Sequence, residues 1–301
     1  MTTAVLEQFV DEVGDTGAVA VRGGGTQWDV GGAVDAAARE VRAPSGIVEL
    51  IPEEMTVTVR AGTTVDELHR SLAEGGQRTA LSGGAGTVGG ALAVGRDTIH
   101  RRGRGLARDS LLQARYVSAE ARLVTAGGPT VKNVSGFDLC RLLVGSLGTL
   151  GLLAELILRT NPVPAAARWL RVDDVDPHAE LPRLGTASSV LWDGRSTWVH
   201  LEGHGVDVDA EADRLGKRFV GVDGPPELPP HRWSTTPRAL AALDGATTGP
   251  FVAELGVGTV HATRPAPARP VDDGLRRLNL QVKQQFDPTN RLNPGRDPLR
   301  R

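Results

Sequence analysis

The first third of the chain switches between helical and strand spacing of its apolar residues. From Thr3 to Val13 these residues recur at helical intervals, which predicts an amphipathic helix. The next apolar run, Ala18–Arg22, is short and predicts a buried strand. The runs Val48–Ile51 and Thr56–Arg60 predict two more strands, the second because polar and apolar residues alternate along it.

A helix follows these strands. Thr64 and Glu67 have the spacing of a capping box, and Gly75 ends the apolar periodicity that they begin. Further along, Leu111–Val117 and Ala121–Val124 predict strands joined by a turn. This order of strands and helices predicts a mixed α+β lobe.

The pattern changes after the apolar, strand-like run Gly151–Leu158, where Pro162 and Pro164 interrupt it. We therefore divide the chain into a first domain at 1–162, a smaller α+β domain at 163–280 and a C-terminal segment at 281–301. In the second domain the spacing of apolar residues predicts strands at Thr197–Glu202 and Phe251–Leu255. It also predicts a helix at Val208–Phe219.

Composition excludes several functions. A net charge of −2 gives no general attraction to nucleic acid, so we expect no nucleic-acid partner. The N-terminus carries acidic residues and no long apolar run, so we expect no signal peptide, no membrane span and a cytoplasmic location. Cys140 is the single cysteine, which excludes an internal disulfide and an iron–sulfur cluster held by several thiolates of this chain. Its apolar surroundings predict a small buried residue.

Glycine-rich segments carry the strongest chemical signal. They lie at Arg22–Thr26, at Thr87–Gly90 and at Gly145–Gly151, the last preceded by Val131–Asp138. Glycine reaches conformations that direct successive backbone N–H groups at phosphate oxygens, so the segments predict a dinucleotide ligand. The Rossmann spacing does not fit, because Trp28 stands where its third glycine belongs. The P-loop spacing does not fit either, because no glycine is followed by the required Lys-Ser/Thr pair.

The order of these motifs resembles the FAD-binding domain of the vanillyl-alcohol oxidase / p-cresol methylhydroxylase (PCMH) superfamily, and within it the FAD-binding subunits of glycolate oxidases. The likeness is dense from Ala18 to Pro164 and returns at Phe286–Gly295. It implies an α+β fold with a two-subdomain PCMH-type FAD-binding lobe, a smaller α+β cap lobe and a tail that returns to the first lobe. The implied cofactor is FAD.

The resemblance also assigns cofactor-binding residues. They are Arg22, Gly23, Gly24, Gly25, Thr26, Gln27, Thr87, Val88, Gly89, Gly90, Lys132, Gly136, Asp138, Gly145, Gly148, Thr149, Gly151 and Asn293. Structural alternatives stay open, since Gly89 and Gly148 suit tight packing and Asp138 suits the cap of a helix that begins at Leu139. Thr26 stands where many family members carry a histidine bonded to the flavin, so the expected FAD is non-covalent.

Catalysis on a small 2-hydroxy acid requires a base for the hydroxyl proton and a cation for the carboxylate. Histidines that qualify by type are His200, His204 and His261, and we predict His261 as the base. It follows Gly256–Val260, at a place loosely like the metal-linked His-Gly-Gly-Asp-Gly-Asn motif of related flavoproteins. That motif is absent, and we predict no metal. Arginines that qualify as the carboxylate clamp are Arg232, Arg238 and Arg264.

The resemblance implies the FAD-binding subunit of a glycolate oxidase-like oxidoreductase that passes electrons from a small 2-hydroxy acid through flavin to a partner. The implied partner subunits carry a second flavin and iron–sulfur clusters. Two alternatives remain: a self-sufficient FAD-dependent 2-hydroxy acid dehydrogenase, and a non-catalytic scaffold subunit that retains the fold. A basic stretch between Arg96 and Arg108 has two interpretations, a solvated loop or a ligand-facing segment.

Overall fold

The computed structural model describes residues 2–129, 138–266 and 271–300. Two compact units divide the chain. The first comprises Met1–Thr98, Leu106–Val163 and Pro270–Arg301, and the second comprises Ile99–Gly105 and Pro164–Arg269. Compared with the predicted bounds, the chain rejoins the first unit at 270 rather than 281, and a short segment before residue 106 belongs to the second unit. The assignment of separate roles to the domains stays a prediction.

Short elements build both units. The helices in the described residues are α1 (Thr2–Val13), α2 (Val65–Glu74), α3 (Val88–Val94), α4 (Arg101–Arg104), α5 (Ala107–Ser110), α6 (Leu139–Leu143), α7 (Pro177–Glu180), α8 (Gly205–Leu215), α9 (Gly245–Thr248) and α10 (Asp273–Phe286). The strands are β1 (Val19–Val21), β2 (Arg39–Val41), β3 (Ile47–Ile51), β4 (Thr56–Arg60), β5 (Gln77–Arg78), β6 (Leu111–Val117), β7 (Leu123–Gly127), β8 (Leu152–Arg159), β9 (Asn161–Pro162), β10 (Ala166–Asp173), β11 (Ser189–Trp192), β12 (Ser196–Gly203), β13 (Val220–Val222), β14 (His231–Ser234), β15 (Phe251–Glu254) and β16 (Thr259–Ala262). Short 3-10 helices lie at Pro52–Glu54, Leu181–Leu184 and Pro237–Ala242.

The main sheet of the first unit is antiparallel, with the strand order β3-β4-β8-β6-β7. Strands β1 and β2 form a separate two-stranded parallel sheet. Strand β1 precedes the first glycine loop and β2 follows it. The larger apolar cluster joins the sheet to α2, α3 and α6, and a smaller one joins α1, β1 and β2 to the start of β8. The first glycine loop therefore leaves a strand that is fixed by a packed core.

The periodic segments of this unit behave as the sequence predicts. Leu6, Phe9 and Val13 of α1 are buried on one face, which confirms the amphipathic helix. The predicted helix start at Thr64 is confirmed as well, because the Glu67 N–H donates to Thr64 Oγ1 at 3.2 Å. Strand β7 begins two residues later than predicted, since the preceding residues form the turn.

The second unit contains a single antiparallel sheet among its described residues, with the order β13-β10-β12-β11-β15-β16-β14. Apolar residues on one face of this sheet pack against α8 and the neighbouring turns and form one cluster with them. The predicted helix Val208–Phe219 is displaced, since α8 begins at Gly205 and ends before Gly216. Gly216 has φ +88°, a conformation that stops the helix and suits glycine.

Cys140 is 3% exposed, which confirms the buried interpretation. Its sulfur donates to the carbonyl oxygens of Leu112 and Ala126, at 3.6 and 3.5 Å. Burial, together with the nearby Asp138 carboxylate, raises the pKa of the thiol to about 11.

This thiol is expected to resist alkylation in the native protein at pH 8, because it is buried and protonated and only the thiolate reacts. The measurement is iodoacetamide labelling followed by intact mass, with and without urea. One adduct is expected in urea and none in buffer. Rapid labelling of the folded chain would contradict the buried, protonated state.

Candidate functional site

A cavity of about 690 Å³ lies in the first unit, where the glycine-rich loops meet. This volume is within the range of small-molecule and cofactor pockets. The predicted residues that line the cavity are Arg22, Gly23, Gly24, Gly25, Thr26, Gln27, Thr87, Gly89, Gly90, Gly148, Gly151 and Asn293. The structure thus brings together members of all three glycine segments and the tail, which are distant in sequence.

The first loop presents a row of backbone donors. At its start the Arg22 N–H still bonds to Val41 O at 2.9 Å, and past its end the Trp28 N–H bonds to Gly25 O at 3.3 Å. Between them, the N–H groups of residues 23–27 make no hydrogen bond within the described part of the chain. Consecutive unpaired N–H groups are the backbone arrangement that binds phosphate oxygens.

Two glycines of this loop are also required because the segment that contains Ala85 and Thr87 lies very close to them. A Cβ on Gly24 would lie 2.3 Å from Ala85 O, and one on Gly23 would lie 2.2 Å from Thr87 Oγ1. Both distances are too short for non-bonded atoms, so the backbone of the first loop packs directly against the Ala85 carbonyl and the Thr87 side chain. Glycine here therefore sets the spacing of the two loops as well as the exposure of the N–H groups.

Most donors of the second loop are already engaged inside the protein. The N–H groups of Val88 and Gly89 bond to Thr63 O and Ala61 O, each at 2.8 Å. Thr87 caps α3, since its Oγ1 accepts from the Gly90 N–H at 3.1 Å. The N–H groups of residues 88–90 therefore already have partners within the protein, and a cofactor contact through this loop stays a prediction.

The stretch just before Thr87 was missed by the sequence analysis and lines the cavity at residues 82–86. Its sequence, Ser82-Gly-Gly-Ala-Gly86, is glycine-rich, and that was the available signal. Asp66 of α2 holds it, because Oδ1 of Asp66 accepts from the Gly84 N–H at 2.7 Å. The capped start of α2 thus positions a wall of the cavity.

The third glycine segment is tied to the tail by Asn293. Its Nδ2 donates to Leu147 O at 2.8 Å, and its Oδ1 accepts from the Val21 N–H at 2.9 Å. Gly148 has φ +70°, and a Cβ there would lie 2.2 Å from Asn293 Nδ2. Asn293 lines the cavity, but its amide bonds to the protein on both sides, so it joins β1, this loop and the tail.

Other predicted cofactor residues lie away from the cavity wall. Val88 is fully buried in the core, and Thr149 is buried with its Oγ1 donating to Ser146 O at 2.7 Å. Gly145 does not line the cavity. Asp138 caps α6 by accepting from the Arg141 N–H at 3.1 Å, as the structural alternative expects. Lys132 and Gly136 lie outside the described residues. A cofactor role for every member of the predicted set stays a prediction.

The cavity wall is cationic. Its charged residues are Arg22, Arg42 and Arg296, with no carboxylate among the described residues that line it. Arg296 donates to Val30 O at 2.8 Å and lies 4.5 Å from the ring centroid of Trp28, whose other neighbour is Arg22 at 5.0 Å. Burial lowers the pKa of Arg296 from its usual value. Such a wall favours an anionic ligand.

Trp28, Arg42 and Arg296 are wall residues that the sequence patterns did not predict. Trp28 was noticed only because it breaks the Rossmann spacing. Arg296 follows the tail motif at Asn293, which was the available signal for it. Its placement depends on contacts between the tail and the turn after the first loop, more than 260 residues apart, and such contacts leave no periodicity in the sequence.

The predicted base, His261, lies in the second unit on β16. A lone histidine on a strand is usually a polar surface residue, but His261 is only 8% exposed. Its Nε2 lies 3.0 Å from Oε1 of Glu254, which is also buried. His200 is buried too, with Nδ1 2.7 Å from Ser188 Oγ. His204 precedes α8 at the N-cap position.

The arginines named for the substrate carboxylate have different settings. Arg232 lies directly opposite His261 in the pairing of β14 with β16. Arg264 donates to Ala246 O at 2.7 Å, and Arg238 is exposed. From the basic stretch, Arg102 donates to Leu184 O and Arg104 pairs with Glu202 at 3.2 Å.

The described residues contain no group of three or more histidine, cysteine or acidic side chains placed to hold a metal ion. Nor does any described helix have the length and apolar character needed to cross a membrane.

Known proteins match this chain over its first domain or over most of its length. Residues 3–127 match the family described as an FAD binding domain. A glycolate oxidase subunit, GlcE of Escherichia coli, is 27% identical in an alignment that covers 97% of this chain and 96% of that protein. A D-lactate dehydrogenase of Archaeoglobus fulgidus is 34% identical over 148 residues, which span 48% of this chain and 33% of the relative.

A solved structure of alkyldihydroxyacetonephosphate synthase superposes with a TM-score of 0.69 at 15% identity, over 96% of this chain and 73% of the other. This likeness shows the fold. The site fits FAD on its own terms, because unpaired loop amides and a cationic wall suit a pyrophosphate and the volume suits a large cofactor. Residues 3–127 are therefore an FAD-binding domain with the PCMH-type fold, and the chain is an FAD-dependent oxidoreductase.

Proposed function

We propose that this chain is the FAD-binding subunit of a glycolate oxidase-like enzyme that oxidises a small 2-hydroxy acid and passes electrons to a partner subunit. The observation that carries this proposal is the cation-lined cavity with five adjacent unpaired loop amides. The GlcE subunit of glycolate oxidase, similar over nearly its full length, supports the substrate class and the role as a subunit.

In this proposal, different residues make different contacts with the cofactor. The N–H groups of residues 23–27 bind pyrophosphate oxygens, and Arg22, Arg42 and Arg296 supply the positive potential around them. Asp66 and Asn293 hold the surrounding loops in place. When bound, FAD supplies a two-electron acceptor for the hydride that leaves the carbon bearing the hydroxyl group.

The proposal requires an acceptor outside the chain. A cluster needs several thiolates, and Cys140 is the single cysteine of the sequence, so no iron–sulfur cluster held by this chain alone follows the flavin. We propose partner subunits that carry a second flavin and iron–sulfur clusters. A cytoplasmic location belongs to the same proposal.

Visible absorption of the purified chain tests the proposal. Under anaerobic conditions, glycolate or D-lactate is added to the chain alone and then to the chain co-purified with its co-expressed partner subunits. We expect an oxidised flavin band that persists in the chain alone and bleaches in the complex. Bleaching in the chain alone supports the self-sufficient dehydrogenase instead, and absence of flavin after FAD addition supports the scaffold. A band that neither acid bleaches, even in the complex, contradicts the proposed substrate class.

The flavin is expected to be non-covalent, because Thr26 has no ring nitrogen to bond to it. Precipitation of the holoprotein with trichloroacetic acid checks this. All the flavin absorbance is expected in the supernatant and none in the washed pellet. Fluorescent flavin that stays with the denatured chain on a gel contradicts the prediction.

A further inference from the structure

We propose that the first half of α10 docks this chain onto a partner subunit, which offers an apolar groove with carboxylates on its rim. This inference rests on the proposed function, because that function needs a second chain to accept the electrons. The docking residues lie in the first unit and form one surface, which we name the α10 surface. They are Leu275, Arg276, Arg277, Leu278 and Leu280.

The leucines of the α10 surface face solvent. Leu275, Leu278 and Leu280 are 49%, 56% and 60% exposed, although leucine is among the residues that proteins bury most often. None of the 14 residues of α10 is buried. A helix of this length owes most of its stability in water to the packing of an apolar face. Neighbouring exposed leucines on such a helix mark an interaction site.

An apolar stripe along α10 extends beyond the core of its own unit. Positions 275, 278, 282 and 286 are three, four and four residues apart, so they lie on one side of the helix. Val282 and Phe286 pack against the main apolar cluster, and Leu275 and Leu278 are not part of it. An apolar surface of a partner would continue the packing along the same stripe. This is how an amphipathic helix binds in a groove.

Both ends of α10 are fixed within the chain. Near its C-terminal end, Lys283 Nζ donates to Thr149 O at 2.9 Å and to Leu292 O at 3.1 Å. At its start, Asp272 accepts from the Leu275 N–H at 2.9 Å. A partner therefore meets a preformed helix, and little conformational entropy is lost on binding.

Leu280 indicates that the partner offers a groove rather than a flat surface. Successive residues of an α-helix turn by about 100°, so Leu280 is rotated by about 140° from Leu275. The same rotation places Arg276 on one side of Leu280 and Arg277 on the other. A groove that receives the first half of the helix contacts all three leucines, whereas a flat surface contacts only one side.

Charge distinguishes a different chain from a second copy of this one. Arg276 and Arg277 are exposed, and neither pairs with a carboxylate of the described residues. A two-fold dimer brings the same surface of both copies together, so their arginines would meet across the axis. Like charges that face each other oppose association. Carboxylates on the rim of a partner's groove would pair with both arginines.

A membrane surface matches the same charges less well. Helices that lie on anionic lipid carry several cations on their polar face. The α10 surface has two arginines, and the carboxylates of Asp272 and Asp273 precede them. The charge pattern therefore favours a protein partner.

The leucine contacts are tested by replacing Leu275, Leu278 and Leu280 together with Gln. The control is Val206→Gln with Val220→Gln, since these valines are 82% and 55% exposed in the second unit. Affinity for the flavin-carrying partner subunit, co-expressed and then separated, is measured by calorimetry. We expect the triple variant to bind at least about tenfold more weakly and the control to stay within about twofold. Equal affinities would overturn the docking surface. Flavin content and thermal unfolding confirm that each variant is folded.

The carboxylate rim is tested by Arg277→Glu. The control is Arg70→Glu, an exposed arginine on α2 of the same unit. At 0.05 M salt we expect Arg277→Glu to weaken binding of the partner subunit at least about fivefold and the control to stay within about twofold. Salt at 0.5 M is expected to reduce the difference, because it screens exposed charges. The same affinity in both variants at low salt would overturn the rim.

Two measurements on the chain alone test the other occupants. Light scattering is expected to give the mass of a monomer. A dimer that the triple leucine variant dissociates would mean that a second copy covers the α10 surface, and would overturn the proposal. Vesicles of phosphatidylcholine and phosphatidylserine are expected not to sediment the chain. Sedimentation of wild type but not of the triple variant would mean that lipid covers the surface, and would overturn it as well.

Failure of the docking surface differs from failure of the proposed function. If glycolate reduces the wild-type complex and the triple leucine variant binds the partner subunit as tightly as wild type, the docking surface is wrong and the proposed function stands. If the wild-type chain forms no complex, or neither acid reduces that complex, the proposed function fails first.

Discussion

Gly24→Ala is expected to lower the affinity for FAD by about 5- to 150-fold, because the added carbon would lie 2.3 Å from Ala85 O. The obstacle is backbone, so one of the two loops must move away. Overpacking of this kind costs about 1–3 kcal/mol, which corresponds to that range of affinities. The shift displaces the row of N–H groups that faces the pyrophosphate. Titration of the apoprotein with FAD, followed by flavin fluorescence, measures the effect.

The matched control is Gly128→Ala in the same unit. A Cβ at Gly128 meets no atom of the described residues within 4 Å, and its φ is not in the left-handed region. Its affinity for FAD is expected to equal that of wild type. If Gly24→Ala also binds FAD as tightly as wild type, the contact between the two loops does not position the phosphate-binding amides.

Arg291→Met is expected to lower the free energy of unfolding by about 3–5 kcal/mol. The guanidinium is buried and donates to four carbonyl oxygens, those of Gly17 and Ala119 at 2.9 Å, Val13 at 3.0 Å and Thr16 at 3.1 Å. Methionine has similar length but no donor, so these acceptors lose their partner. Urea unfolding followed by circular dichroism gives the free energy.

Arg276→Met is the control for that measurement, since Arg276 is exposed on α10. A change within about 0.5 kcal/mol is expected for it. Because Arg291 holds the end of α1 against the tail, its loss is also expected to weaken FAD binding through Asn293. A free energy of unfolding equal to that of the control would mean that the buried hydrogen bonds contribute nothing to stability.

The helices and strands that the sequence predicted best are those with one buried face. Helix α1 and strand β4 show this, because their apolar residues alone record which side meets the core. Helix α10 was missed although Asp272 caps it by accepting from the Leu275 N–H at 2.9 Å. Its leucines are about half exposed, so its pattern does not follow a buried stripe.

In the candidate site, too, the residues with a local sequence signal were found and those without one were missed. Residues 22–26 were found from local composition, because a loop that exposes N–H groups needs glycine wherever it occurs. Arg42 and Arg296 were missed, since an arginine has the same local appearance on a cavity wall and in solvent. Glu254 was missed for a related reason: its partner His261 lies on the next strand, and only the register brings the two side chains together.

The sequence by itself determined the cofactor class, the α+β character and the first glycine loop, because these depend on local backbone freedom and on apolar periodicity. Tertiary structure decided which amides remain unpaired, since residues 88–90 bond to the backbone of distant segments. It also decided that the tail reaches the cavity, through hydrogen bonds between residues more than 140 positions apart. Such contacts leave no pattern in the local sequence, so only the folded structure shows them.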